Sequence, residues 1–473
     1  MYPSRLALAG AVILSAVVLA RGEAPHMVMA KIRVDSQWKS YPTRSLEDLQ
    51  GDATNKVDSG LSRYGGLLSR KVNATGFFYP TNLAGRWWLV DPEGCLFLDK
   101  GVTAVQPFHG TGSDQLLKQK FGAETDWASQ TADFLRANGF NNLGAWSATD
   151  TIRAVPHPLV YTRVLNFMSS YGEHRGGVYQ QPGHAGYPND CIFVFDPDFE
   201  AFCDNQAKQL TQFKDDPWLL GYFSDNEMPL WRSALKNYLK LPATEAGFQA
   251  AQKWLRTRHG DNATTNDITA DDEKDFLAVV VDRYYRIVST AIKKYDPNHL
   301  YIGSRFNGKV VNLPEVFHAA GPYVDVVSVN YYDVWTPLQK QLDMWTQESG
   351  RPVLITEWYT KGEDSGMANK GGAGWIVKTQ GDRGQFYQNF TLALLQSKDC
   401  VGWDWFKYAD NDPTDTKADP SNRDANKGIV DIHYQPYAPL LDAMKELNVR
   451  AYSLIQYFDA QTGESSGKAS ARL

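Results

Sequence analysis

Two glutamates sit where side chains can do acid–base chemistry. Glu227 ends the apolar run WLLGYFSDNE, and Glu357 falls near the end of a second, PVLITEWY. Acids at the carboxyl ends of separate strands can face each other across one bond, and hydrolysis of a glycosidic bond needs two such carboxyls. A gap of about 5–5.5 Å retains the anomeric configuration and one of about 6.5–9.5 Å inverts it; retention is expected here. The proton donor must stay protonated near neutrality, which a second carboxylate close by promotes. An attacking carboxylate must be ionised and held by donors. Asn226 can offer its amide to a sugar hydroxyl. Alternation in VSVNYY puts Ser328, Asn330 and Tyr332 on one face, so Tyr332 can donate to the attacking group. An isolated Asn-Glu is usually a surface dipeptide; its place after an apolar strand singles this one out.

Elements that could hold the pair follow from the hydrophobic pattern. Strand-like runs cover 96–105, 140–146, 159–168, 218–227, 300–307, 324–332, 352–359 and 401–408. Between most of them lie segments with apolar residues at three- and four-residue spacing, such as FEAFCDNQAKQLTQF and GQFYQNFTLALLQSKD. Eight such alternations predict a (β/α)8 TIM barrel, whose chemistry lies in the loops at the carboxyl ends of the strands. Strands four and seven then face each other across the mouth. A doubly wound open sheet is the rival, but no GxGxxG follows any strand.

Further residues could line such a mouth. Trp403 and Trp405 alternate onto one side of strand eight, opposite Asp404, and could floor a sugar site as readily as pack a core. Arg305, His109, Asn166, His174 and His184 could bind hydroxyls or sulfates. Asp225, Asp404, Glu173, Glu363 and Asp364 compete as acids, each better read as solvated or structural. Long Gly-rich segments follow strands three and seven, and long irregular loops are usually functional or disordered.

The net charge of −6 without a Lys/Arg run excludes nucleic acid as the natural partner. No CxxC or HExxH appears, so neither a metal nor another cofactor is expected. Residues 1–20, with Arg5 ahead of an apolar stretch from Leu6 to Ala20, read as a secretory signal too short to span a bilayer. A secreted or periplasmic protein is expected, with no membrane role beyond export. Residues 21–94 read as an N-terminal extension ending in a hairpin around Asp91-Pro92-Glu93-Gly94, 95–458 as the barrel, and 459–473 as a solvated tail. Of Cys95, Cys191, Cys203 and Cys400, the pair Cys191 and Cys203 lies nearest in sequence, which does not establish a bridge.

Asn226-Glu227 and Glu357 at these strand ends resemble the clan A glycoside hydrolases. More narrowly, GRWWLVDPEG, GYFSDNEMPLW, ITEWYTKGEDSGMANKGGAGWIVKTQGDRGQFY and GWDWFKYADND are similar to glycoside hydrolase family 50, the β-agarases, over about residues 85–450. The resemblance implies a retaining enzyme in which Glu227 is acid/base and Glu357 nucleophile. It implies β-1,4-galactosidic bonds of agarose as substrate, often attacked from a chain end, and Trp231 as a sugar contact. Family members commonly carry a β-sandwich module ahead of the barrel; here only about 75 residues separate the signal from the first barrel strand. The alternatives are another red-algal galactan, porphyran or carrageenan, a β-galactosidase, or a non-catalytic glycan-binding protein on a barrel scaffold.

Overall fold

The computed structural model describes residues 26–51, 55–107, 112–416 and 418–470, the last nine of these by backbone alone. Eight parallel strands form its centre: β1 (Asp99–Val102), β2 (Asn142–Leu143), β3 (Val160–Val164), β4 (Leu219–Phe223), β5 (Leu300–Gly303), β6 (Val327–Asn330), β7 (Val353–Glu357) and β8 (Cys400–Trp405). They are hydrogen-bonded in the order β5-β4-β3-β2-β1-β8-β7-β6. The two ends meet just past β5, where Phe306 N donates to Ser328 O (3.0 Å) and Asn330 N to Phe306 O (2.8 Å). This is the expected (β/α)8 barrel, and each predicted run overlaps one barrel strand.

Helices follow the strands for local reasons that the sequence displays. Thr269 caps the longest, Ala270–Tyr295, accepting from Asp272 N while the Asp272 carboxylate accepts from Thr269 N, a reciprocal box that satisfies two orphan donors. Phe276, Leu277, Val280, Val281, Tyr284 and Val288 then give that helix its buried face. Thr379 and Asp382 repeat the device at the start of Gln380–Gln396, after β7.

Inside the barrel, Val160, Leu220, Leu300, Ile302, Leu354 and Val401 pack into one cluster with Tyr64, Phe78, Leu89 and Phe97. The last two belong to an antiparallel sheet ordered Leu67–Lys71, Cys95–Phe97, Arg86–Val90, Tyr79–Leu83. The hairpin expected around Asp91–Gly94 is therefore part of a plug beneath the barrel, whose last strand runs into β1. The other part of the extension travels to the opposite end. Met27–Lys31 pairs with Trp375–Val377, within the segment after β7, and Lys31 and Lys378 hold Glu363 there at 2.9 and 3.0 Å.

Where composition suggests a solvated tail from 459, the backbone is helical over Ala451–Ser470, and Arg86 pairs with Asp459 at 2.7 Å. Helical spacing is hard to see there because Gly, Ser and Thr crowd the sequence. All four cysteines are buried free thiols, Cys191 and Cys203 included. The expected export signal lies outside the described residues. No helix among the described residues is long and apolar enough to cross a membrane.

Candidate active site

The chain leaves each of the first six barrel strands through a non-glycine residue with positive φ: Ala104 (50°), Trp146 (66°), Asn166 (56°), Glu227 (52°), Arg305 (57°) and Asp333 (64°). Left-handed backbone is costly for side chains with a Cβ and clusters where geometry serves function. Ala104, Trp146, Asn166 and Glu227 of this set line a cleft at the barrel mouth.

Glu227 and Glu357 line one cleft there. Glu357 accepts from Arg305 Nη2 at 2.6 Å on one oxygen and from the Tyr332 hydroxyl at 2.7 Å on the other. Glu227 accepts from Asn330 Nδ2 at 2.7 Å, with His184 Nδ1 3.7 Å from its second oxygen. The two acids are joined by a polar chain. Arg305 Nη1 donates to Asn226 Oδ1 at 3.0 Å, and Asn330 is oriented by Thr356, whose hydroxyl donates to its Oδ1 at 2.8 Å. Burial, reinforced by the negative charge of Glu357, pushes Glu227 up to about 8, against the opposing pull of Asn330, Arg305 and Asn307. One carboxyl of the pair thus keeps its proton at neutral pH. The other is fixed by a guanidinium and a phenol.

Beneath them the barrel interior is polar. Asp404 on β8 fits against Gly101 and Gly144, where any Cβ would collide with its carboxylate. Asn142 Nδ2 reaches both Asp404 (3.3 Å) and Asp99 (3.2 Å). Burial raises Asp404 to about 7, while Arg305 and Asn142 pull it down. Asp225 is structural: buried, it accepts from Met168 N and Ser169 N and from the Tyr284 hydroxyl, binding the end of β4 to the helix Phe167–Arg175.

The structure brings Asn166, His184, Asn226 and Tyr332 to the cleft and leaves other expected residues away from it. Trp403 and Trp405 are fully buried on the helix-facing side of β8, with Trp405 packed on Trp358 and Tyr387 and Trp403 bonded to the Tyr387 hydroxyl. Alternation groups them correctly opposite Asp404, but it is Asp404 that faces inward. Trp231 is half-buried against the core outside the cleft. His174 stacks on Phe202 instead of pointing into the mouth. Arg305 has no exposed surface and holds Glu357 and Asn226, so it positions those two side chains rather than meeting a ligand. His109 lies outside the described residues.

Sequence reasoning passed over Trp146, which is 36% exposed in the cleft with Arg305 beneath its ring, and over Tyr359, Lys407 and Lys427 in its wall. Trp146 ends the run FNNLGAW, and that strand-end position was the available signal. Among the described residues no group of three His, Cys, Asp or Glu is arranged to hold a metal.

No family model matches the chain. Among solved structures, BpGH50 superimposes with a TM-score of 0.81 at 30% identity, over 92% of this chain and 96% of that one. The chain belongs to glycoside hydrolase family 50. A second family 50 structure, the agarase AgWH50C, is similar at 25% identity with a TM-score of 0.69, over 85% of this chain and 68% of its own. Among characterised proteins, Beta-agarase B of Vibrio sp. (strain JT0107) is 27% identical over 84% of this family 50 chain, and Beta-agarase A of the same strain 28% over 70%. The chain spans 50% and 37% of those two relatives' lengths.

Proposed function

We propose that this family 50 protein is a secreted β-agarase, hydrolysing β-1,4-galactosidic bonds of agarose by double displacement with retention. The observation that carries this reading is the asymmetry of the two acids: Glu227 pushed up to about 8 beside a Glu357 clamped by Arg305 and Tyr332. Glu357 attacks the anomeric carbon as Glu227 delivers its proton to the leaving oxygen. Glu227, now ionised, then draws a proton from water that displaces Glu357. Asn226 and Trp146 line the cleft, and in this reading they contact the sugar, the indole offering an apolar face to a pyranose. The reading also draws on the agarases among its relatives.

One loop contact supports attack from a chain end. The hairpin Tyr179–Gln181 and His184–Gly186 crosses to the segment after β8, where Gly183 N donates to Asp419 at 3.0 Å, next to Glu227. Incubation with agarose, porphyran and carrageenans, followed by chromatography of the products, tests the reading. Short agarose oligosaccharides, dominated by one size from the earliest times, are expected. Binding without products from any of these polymers would contradict it. Culture supernatant or periplasm is the expected location, checked by fractionation.

A further inference from the structure

Three lysines are buried close together near Glu357: Lys361 (1% exposed), Lys407 (8%) and Lys427 (2%). Lys361 is structurally committed, its ammonium directed at the carbonyls of Asn369, Gly371 and Gly372. Lys407 and Lys427 line the cleft, and among the described residues each ammonium has one hydrogen-bond acceptor, a neutral amide oxygen: Asn411 for Lys407, and Asn422 (2.7 Å) for Lys427. An ammonium carries three donors, so both keep hydrogen-bonding capacity to spare. The rings of Tyr359 and Phe406 lie 4.6 and 5.1 Å from Lys427 Nζ and give the charge a partly favourable setting without neutralising it.

The carboxylates that face these lysines are engaged elsewhere. Asp410 accepts from Lys427 N, Gly428 N, Asn426 and the Tyr437 hydroxyl. Asp419 accepts from Gly183 N, Gln180 and Ser421 N. Glu357 holds Arg305 and Tyr332. Among the described residues neither lysine forms an ion pair. Burial, and then Lys407 and Lys361 beside it, drive Lys427 well below the ordinary lysine range, and burial brings Lys407 to about 8. Clustered, unpaired buried cations are costly and are tolerated where a ligand completes them. Arg33 and Lys370, both exposed, extend the positive lining to the rim.

The geometry points to Lys407 and Lys427 as a subsite for an anionic substituent, a sulfate ester, on the galactan bound in this cleft. The inference rests on the galactan-hydrolase reading and narrows its substrate class. An oxyanion with several acceptors favours the protonated form of both amines and fills their spare donors, whereas an unsubstituted hydroxyl leaves the desolvated pair without a compensating charge.

The test compares neutral agarose oligosaccharides with sulfate-bearing galactan oligosaccharides of equal length. Calorimetry on the Glu357→Gln protein measures binding, and kcat/KM on the wild type and on Lys407→Met/Lys427→Met measures use. At least tenfold tighter binding of the sulfated ligand is expected, lost in the double methionine variant and kept in Lys407→Arg/Lys427→Arg. Equal or weaker binding of the sulfated ligand by the protein with both lysines intact overturns the inference, whether or not the methionine variant folds. So does a kcat/KM loss in that variant that falls equally on both substrates. If neutral oligosaccharides are cleaved and sulfated ones are not favoured, this inference alone fails. If neither is cleaved yet the sulfated ligand binds more tightly, the subsite stands and the hydrolase reading fails.

Discussion

The two sides of the cleft treat the same side chain in opposite ways. At the end of β4, Glu227 meets a neutral amide and a second negative charge, and burial holds its proton to about pH 8. At the end of β7, Glu357 meets a guanidinium and a phenol. The residue type is identical, and the proposed division of labour rests on the neighbours. Arg305 and Asn330 create that difference, one from just past β5 and one from β6, and Asn226 ties the two together. Two carboxyls in different environments are what acid/base and nucleophile roles require.

Removing the group on the β7 side should have the largest effect. Glu357→Gln is expected to lower kcat by about 10³–10⁵-fold with the fold intact, since no covalent intermediate forms; steady-state kinetics and circular dichroism check both parts. Arg305→Met attacks the difference between the sides. Breaking a buried pair from one end costs about 3–5 kcal/mol of stability, so urea unfolding should shift strongly and kcat fall as Glu357 loses its orientation. Tyr332→Phe removes a single donor to Glu357 and should cost about 10–100-fold in kcat/KM, the scale of one hydrogen bond to a charged group.

The β4 side is probed by pH. As the proposed acid, Glu227 acts in its protonated form, so kcat/KM should decline as pH rises through about 8, and that alkaline limb should move in Asn330 variants. The same shift has a stability consequence. The folded-state value lies above the ordinary 4.5, so the folded protein holds a proton that the unfolded chain releases. Stability from this group is complete below about pH 4.5 and is lost as pH climbs toward 8. Glu227→Gln should therefore raise the melting temperature at pH 7, on the order of 2 °C, while lowering activity.

Much of the scaffold was legible because apolar runs and three-to-four spacing repeat through the chain, and because both glutamates close such runs. Which face of a barrel strand points inward was not. Both faces of a parallel strand are buried, so alternation could group Trp403 with Trp405 but could not say that Asp404 is the one inside. The glycines facing Asp404, Gly101 and Gly144, carry that information, but only once the strands are adjacent. The positioning role of Arg305, expected as a ligand to hydroxyls or sulfates, was hidden for a related reason: its partners Asn226 and Glu357 are 79 and 52 positions distant in sequence. Lys407 and Lys427 look like ordinary surface lysines until the segment after β8 folds them into the wall.

Azide rescue tests the division of labour most directly. With an activated β-galactoside, Glu357→Ala plus azide should yield the α-galactosyl azide, azide replacing the missing nucleophile on the opposite face. Glu227→Ala plus azide should yield the β-galactosyl azide, formed by displacement of Glu357 from the intermediate. Nuclear magnetic resonance of the two products reads the outcome. The reverse pairing, or rescue of neither variant, would contradict the assignment of the two glutamates.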